Sequence, residues 1–101
     1  MDSNLRAKFL QENGMDKTIY TREYSVLLRL LAERREKSAL TQTQLAKKLG
    51  VTQSTISKFE RGDRRLDVIQ LRTICSHLGV SLSDFVAELE QRIPKRRSRG
   101  R

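Results

Sequence analysis

A chain of 101 residues, 37% apolar and 5% aromatic, is long enough for one small domain with a core built mainly from Leu, Ile and Val. We therefore do not expect a large enzyme cleft, and no apolar run approaches the roughly 18 residues of a membrane span. The amino terminus lacks the pattern of a secretory signal, and a single cysteine cannot form an internal disulfide, which favours a reducing cytoplasm.

The positive charge of the chain is unevenly distributed. From Arg92 to Arg101 there are six basic residues and no acidic one, so residues 1–91 carry only +3 of the net +9. A basic tail attracts phosphate groups without selecting a base sequence. Residues 41–66 are more informative, because this short stretch has six basic side chains against two acidic ones.

Residues 1–20 give the weakest structural signal. Ser3 is a candidate cap for a short helix that carries Leu5, Phe9 and Leu10 and ends at Gly14. A helix of this length is marginal by itself, so the segment is packed on the domain, in contact with a partner chain, or frayed.

A firmer helix begins near Thr21. Its apolar residues recur at the i, i+3, i+4, i+7 spacing of one helix face, namely Tyr24, Leu27, Leu28 and Leu31. Cations suit the negative end of the helix dipole, and we expect a solvated basic helix end at Arg34, Arg35 and Lys37.

Two short helices are predicted within residues 41–66. The first begins with a capping box of Thr41 and Gln44 and ends at Gly50, a residue that readily adopts a left-handed backbone. Thr52 caps the second helix. The pattern places five side chains of this pair in the core: Leu45, Ala46, Leu49, Ile56 and Phe59.

The outer face of the second of these helices is entirely hydrophilic. At about 100° per residue, the side chains opposite Ile56 and Phe59 are those of Ser54, Ser57, Lys58 and Arg61. One interpretation is an ordinary helical hairpin with a solvated face. The other is a helix-turn-helix unit, in which the second helix enters the major groove of DNA.

Two more helices are predicted before the basic tail. Asp67 caps a helix that closes at Gly79, and Ser81 with Asp84 forms the capping box of the next helix. Pro94 stops regular structure, and the polar residues that follow are expected to be disordered. The expected buried residues of the two helices are Val68, Leu71, Ile74, Cys75, Leu78, Leu82, Phe85, Val86 and Leu89.

An apolar residue precedes each of four predicted caps, and another follows the cap by four residues. This hydrophobic staple fixes the angle at which the chain enters a helix, so short helices at defined angles are expected. The four pairs are Leu40/Leu45, Val51/Ile56, Leu66/Leu71 and Val80/Phe85.

Residues 26–89 resemble the phage-repressor and Cro-like (XRE-type, lambda-repressor-like) helix-turn-helix family. The resemblance rests on LLRLLAERREKSALTQTQLAKKLGVTQSTISKFERGDRRL and then IQLRTICSHLGVSLSDF, in which the cap, the glycine, Ile-Ser and Glu-Arg-Gly keep the family's order and spacing. It implies an all-α, compact five-helix domain in residues 21–91, between an N-terminal segment 1–20 and a basic tail 92–101, without enzymatic activity.

The resemblance also implies positions in a DNA interface. The base-reading positions correspond to Gln53, Ser54, Ser57 and Lys58. The positions along the DNA backbone correspond to Gln42, Thr52, Arg61, Arg64 and Arg65. Gln53 can form two hydrogen bonds to adenine, and Lys58 can donate to guanine O6 or N7, with a phosphate contact as the alternative for Lys58.

Three positions depart from the family pattern. Ala39 stands where the family often has Gly, and Leu66 stands where it often has Pro. Both lie at helix boundaries, where the change is tolerable. Cys75 replaces a small residue, often Ala, that packs in the fourth helix, so we expect it to be buried and unreactive.

No catalytic or metal-binding group of residues is expected. Glu60 lies on the inner side of its helix near Ile56, where a hydrogen bond or ion pair between helices is expected. His77 is the only histidine and Cys75 the only cysteine, so a zinc site cannot be assembled and no cofactor is expected.

The sequence predicts a cytoplasmic regulator that binds double-stranded DNA as a homodimer, most often a repressor on a palindromic operator in the family that it resembles. The alternative is an antitoxin-type protein that binds a toxin partner and represses its own promoter. No membrane partner is expected. The dimer surface is expected on the last helix, at Phe85 and Leu89, or on the N-terminal segment.

Overall fold

Five helices follow one another in the computed structural model, which describes the backbone of residues 17–94 and the side chains of residues 21–94. The helices are α1 (Lys17–Lys37), α2 (Gln42–Leu49), α3 (Gln53–Arg61), α4 (Val68–His77) and α5 (Leu82–Arg92). The predicted all-α class is confirmed. The helix proposed after Ser3 and the polar tail from Lys95 lie outside the described residues.

Local hydrogen bonds fix the start of α2 and α3 as the sequence predicts. The Thr41 hydroxyl accepts from the Gln44 amide at 3.0 Å, and the Gln44 side chain accepts from the Thr41 amide at 2.9 Å, which completes the capping box. The Thr52 hydroxyl accepts from the Thr55 amide at 3.1 Å. Gly50 adopts the left-handed conformation (φ 74°), so the chain turns sharply between the two helices.

The caps of α4 and α5 differ in part from the prediction. Asp67 and Gln70 form a complete capping box at the start of α4. At the start of α5, the Ser81 hydroxyl accepts from the Asp84 amide at 3.0 Å, but the predicted box is not completed. The reverse bond requires the longer side chain of Glu or Gln at this position, and Asp is one methylene shorter.

The core lies where all five helices meet. Its most deeply buried large side chains are Leu30, Leu45, Ile56, Cys75 and Phe85. Cys75 is fully buried, as expected, and this burial raises the pKa of its thiol.

Three apolar positions differ from the predicted stripes. Leu30 lies outside the predicted stripe of α1 but is only 1% exposed, because α1 packs against both α3 and α5 and so buries a wider face. Val68 was expected in the core but is 60% exposed, since it is the first residue of α4 and lies at the edge of the buried stripe. Val51 and Val86 are also exposed, so the Val51/Ile56 staple is only partly covered.

The turn between α1 and α2 contains a strained residue. Ala39 has φ 60°, a left-handed conformation that costs an L residue with a Cβ roughly 1–2 kcal/mol. Glycine, the residue that the sequence resemblance leads us to expect at this position, adopts this conformation without that cost.

A network of ion pairs joins α1 to α5. Arg92 pairs with Glu33 of α1 at 2.8 Å and with Glu88 at 3.0 Å, and Glu88 also pairs with Arg34 at 2.9 Å. The prediction of a solvated basic helix end is therefore wrong for Arg34, because α5 brings an acidic side chain next to it.

The pH dependence of stability tests this network. Burial raises the pKa of Glu88, hydrogen bonds and charges from Arg34 and Arg92 lower it, and the net shift is downward. Its carboxylate therefore contributes stability above the unfolded value of about 4.3, and this contribution is lost as pH falls through the lower folded value. We expect the difference in melting temperature between wild type and Glu88→Gln to be present at pH 7 and to shrink below about pH 4.

The same exchange at the exposed Glu90 of α5 provides the control and should give a much smaller difference. If the melting-temperature difference for Glu88→Gln stayed constant from pH 7 to below about pH 4, the ionised Glu88 carboxylate would not be the source of the stability.

Candidate nucleic-acid interface

The third helix presents a hydrophilic face to solvent. Ile56 and Phe59 point into the core and hold α3 against α1 and α2. The opposite side exposes Gln53, Ser54, Lys58 and Arg61, while Ser57 is half-buried. The structure therefore brings the four predicted base-reading residues together on one helix.

A largely buried ion pair fixes α3 to the end of α1. The Arg35 guanidinium donates from Nε to Glu60 Oε2 at 2.7 Å and from Nη2 to Glu60 Oε1 at 3.2 Å. Its Nη1 donates to the carbonyl of Leu40 at 2.7 Å, in the turn before α2. Both charged side chains are only 11% exposed, so the solvated position expected for Arg35 is wrong, whereas the expected inward role of Glu60 is confirmed.

The Arg35 guanidinium is held in its charged form at this site. Its hydrogen bond to Glu60 raises the pKa of Arg35, which outweighs the lowering effect of burial, and the charges of Glu60 and Glu36 raise it further. A bidentate contact between guanidinium and carboxylate also fixes the relative orientation of the two groups.

The ion pair continues into a chain of two glutamines. Gln42 donates from Nε2 to Glu60 Oε1 at 2.8 Å, and Gln53 donates from Nε2 to Gln42 Oε1 at 2.7 Å. An ionised carboxylate can only accept, so Gln42 must turn its NH₂ group towards Glu60 and its oxygen towards Gln53. The orientation of the Gln53 amide is therefore set by the buried charge pair.

This orientation leaves Gln53 able to recognise a base. Its Nε2 carries two hydrogens, and only one is needed for the bond to Gln42. The second hydrogen and Oε1 are the donor and acceptor that an adenine N7 and N6 amino group require. A side chain held in advance also loses less conformational entropy on binding.

The side chain of Arg61, at the C-terminal end of α3, is held by contacts that are exposed to solvent. Arg61 donates from Nη1 to the Ser57 hydroxyl at 2.8 Å and pairs with Asp63 at 2.9 Å. More than half of each charged side chain is exposed, so this ion pair is weak and can be exchanged for a phosphate.

Two further cations lie on the loop between α3 and α4. The Arg64 guanidinium lies over the ring of Phe59 at 5.9 Å from the ring centroid, and the Arg65 guanidinium lies over the ring of Tyr24 at 4.5 Å. The loop therefore lies beside α3 with its basic side chains placed against aromatic rings of α3 and α1.

The described residues 21–94 contain no group of histidine, cysteine, aspartate or glutamate side chains that could hold a metal ion. Within the same part of the chain, no helix is long and apolar enough to cross a membrane.

Two capped helices are joined by a turn at a left-handed glycine, and the second helix has an exposed polar face and a buried apolar face. This arrangement defines a helix-turn-helix domain. The helix-turn-helix family profile matches residues 31–85. The XRE-family like protein from Pseudomonas syringae pv. tomato str. DC3000 superposes with a TM-score of 0.72 at 41% identity, over 77% of this chain and 95% of that one.

Two sequence relatives extend the comparison. The chain is 35% identical over 63 residues to an uncharacterized transcriptional regulator in the ATPase CF(0) region of Rhodospirillum rubrum, covering 62% of this chain and 58% of the relative. It is 29% identical over 58 residues to the control protein C.MunI of a Mycoplasma species, covering 57% of this chain and 78% of the relative. The chain thus spans little more than half of the first relative.

This chain belongs to the XRE-type helix-turn-helix family, whose members are DNA-binding transcriptional regulators and not enzymes. The resemblance seen in the sequence is confirmed. The sequence did not reveal two supporting residues of the interface, Arg35 and Tyr24. Their partners lie 25 and 42 residues away along the chain, which no local pattern could indicate.

The stability of Glu60 variants tests this largely buried ion pair. Glu60→Ala leaves the Arg35 charge largely buried without its carboxylate, and we expect the free energy of unfolding to fall by about 3 kcal/mol in urea denaturation. The double variant Arg35→Met, Glu60→Leu removes both charges and should recover most of that loss.

Glu36 supplies the matched control, because its exposed carboxylate lies 3.9 Å from the same guanidinium. Glu36→Ala should change the free energy of unfolding by no more than about 1 kcal/mol. Equal effects of Glu36→Ala and Glu60→Ala would show that the Arg35–Glu60 pair does not stabilise the fold.

Proposed function

We propose that this protein recognises a specific sequence of double-stranded DNA and regulates transcription, as a repressor, from a palindromic operator that it binds as a homodimer. The observation that carries the proposal is the outward polar face of α3, in which Gln53 is oriented through Gln42 by the buried Glu60–Arg35 pair.

The residues of α3 divide between reading bases and allowing close approach. Gln53 reads an adenine through its amide, and Lys58 donates to a guanine or, alternatively, to a phosphate. Ser54 and Ser57 are small, so they allow the helix to lie deep in the groove while specifying little. Five residues contact the DNA backbone in this proposal: Gln42, Thr52, Arg61, Arg64 and Arg65.

The relatives support a regulatory role. One is called a transcriptional regulator and another a control protein. Two copies related by a two-fold axis would present their α3 helices about 34 Å apart, one turn of DNA, so that each reads one half of a palindrome.

Both residues first expected at the dimer surface on α5 pack on the core of the single chain. Phe85 is fully buried (0% exposed), and Leu89 is half-buried. Phe85 is therefore not available to a partner, while Leu89 keeps α5 in the proposal as a dimer surface. The alternative surface, the N-terminal segment 1–20, remains part of the proposal.

An alanine substitution at Gln53 tests its role as a base reader. Gln53→Ala should weaken binding to the operator by about 1–3 kcal/mol and abolish the preference at one base position, because the lost amide contacts one base. Electrophoretic mobility shift titrations on the operator and on its single-base variants would measure both effects.

Gln91→Ala is a suitable control, since Gln91 is an exposed glutamine on α5. It should bind the operator like the wild type. A Gln53→Ala variant that loses equal affinity for operator and random DNA would exclude Gln53 as a base reader. The same comparison for Lys58→Ala separates a guanine contact from a phosphate contact.

Selection of bound sequences from random DNA tests the whole proposal. We expect an inverted repeat whose half-sites are centred about 10 base pairs apart. Enrichment of one unrepeated half-site would contradict the dimer but not base recognition. No enrichment of any sequence would overturn specific DNA binding.

The antitoxin alternative adds a protein partner to the same DNA-binding domain. Purification of the protein at native expression levels from its own host would separate the two functions. A small protein that copurifies in stoichiometric amount would favour the alternative, and its absence would favour the simple regulator.

A further inference from the structure

We infer that Tyr24 of α1 is a positioning residue for DNA binding, which holds the α3–α4 loop so that Arg65 meets a phosphate of the duplex. The inference rests on the proposed function, because it concerns the backbone contacts of the same interface. Tyr24 belongs to α1, a helix that supplies none of the proposed DNA contacts.

The loop that carries the two arginines is tied down at its first half by α3. The amides of Asp63 and Arg64 both donate to the carbonyl of Lys58, at 2.8 Å and 3.2 Å. Gly62 has φ 82°, and a Cβ at this position would lie 3.2 Å from Cδ1 of Leu28 in α1. The loop therefore begins against α1, at a position where only glycine fits without strain.

Tyr24 ties down the second half of the loop. Its hydroxyl accepts a hydrogen bond from the amide of Leu66 at 3.1 Å, which spans 42 residues of sequence. Residues 65–67 have no regular secondary structure, so the loop amides need partners outside a helix ladder. The bond requires an N–H at position 66, which a proline would lack. The family often has proline here, so the bond exists only because this chain has Leu66 instead.

The ring of Tyr24 meets the side chain of the neighbouring loop residue. The Arg65 guanidinium lies over this ring at 4.5 Å from the centroid, close enough for a cation–π interaction. Tyr24 thus contacts the loop twice, by its hydroxyl at the backbone of Leu66 and by its ring at the side chain of Arg65. These two contacts fix both the course of the chain and the direction of the cation.

Stacking and phosphate binding are compatible for an arginine. A cation–π contact uses the face of the ring and the charge of the guanidinium, whereas hydrogen bonds to phosphate oxygens use the N–H groups of the guanidinium. Arginine also loses considerable rotamer freedom when it is immobilised, so a side chain placed before binding meets a phosphate at lower entropic cost. Tyr24 would therefore strengthen binding without touching the DNA.

The salt dependence of DNA binding tests this inference. On random-sequence DNA, Arg65→Ala should reduce affinity about five- to tenfold and lower the slope of log K against log salt by about one, as expected for one lost phosphate contact. Tyr24→Leu removes the ring, and it should cause nearly the same loss of affinity and nearly the same change in slope as Arg65→Ala. The double variant Tyr24→Leu, Arg65→Ala should match Arg65→Ala alone, because the tyrosine acts through the arginine.

Arg29→Ala is the matched control, since Arg29 is an exposed arginine of α1 outside the loop. It should leave the slope unchanged. A merely structural role of Tyr24 would lower the melting temperature but not the slope, measured well below that temperature. Wild-type slope and affinity in Tyr24→Leu, or additive losses in the double variant, would overturn the inference.

Milder variants keep the test valid if Tyr24→Leu does not fold. Tyr24→Phe and Leu66→Pro remove the same hydrogen bond from its two sides and retain the ring. Each should weaken binding about two- to threefold, and their combination should be no weaker than either alone. Wild-type affinity in both would overturn the inference. If the unmodified protein showed no salt-dependent binding to DNA, the proposed function itself would be overturned.

Discussion

The largely buried pair of Arg35 and Glu60 is the interaction on which the presentation of α3 depends. Two charges removed from water are favourable only when their geometry is good and their remaining hydrogen-bonding groups have partners. Here the guanidinium also donates to the Leu40 carbonyl, and the carboxylate also accepts from Gln42. A shift of α3 against α1 would leave these groups unsatisfied.

The same pair connects the core of the domain to the surface of α3. Glu60 orients Gln42, and Gln42 orients Gln53, so the Gln53 side chain is ordered before any ligand arrives. The loop after α3 is ordered in a different way, by aromatic rings beneath Arg64 and Arg65. Both devices reduce the entropy that is lost when long side chains are immobilised on binding. By contrast, the contacts of Arg61 are exposed and weak, so its guanidinium can exchange them for a contact with a phosphate.

Much of the local structure follows from the sequence alone, because its causes are local. The caps at Thr41 and Thr52 are bonds between residues three apart, and the left-handed turn at Gly50 requires only the missing Cβ. The hydrophilic face of α3 follows from helix periodicity in the same way. The family and the five-helix fold could therefore be predicted, while the base-reading roles of Gln53 and Lys58 remain predictions.

Only the tertiary structure decided which charged and apolar groups meet. Periodicity gives the direction in which a side chain leaves its helix, but not which element lies there. Arg35 looked like a solvated helix end until α3 placed Glu60 beside it, and Leu30 was buried because α1 is covered on two sides. Val68 shows the reverse case, an apolar residue that no neighbour covers in the described part of the chain. Burial and ion pairing depend on contacts between distant segments, and those contacts exist only once the helices have packed.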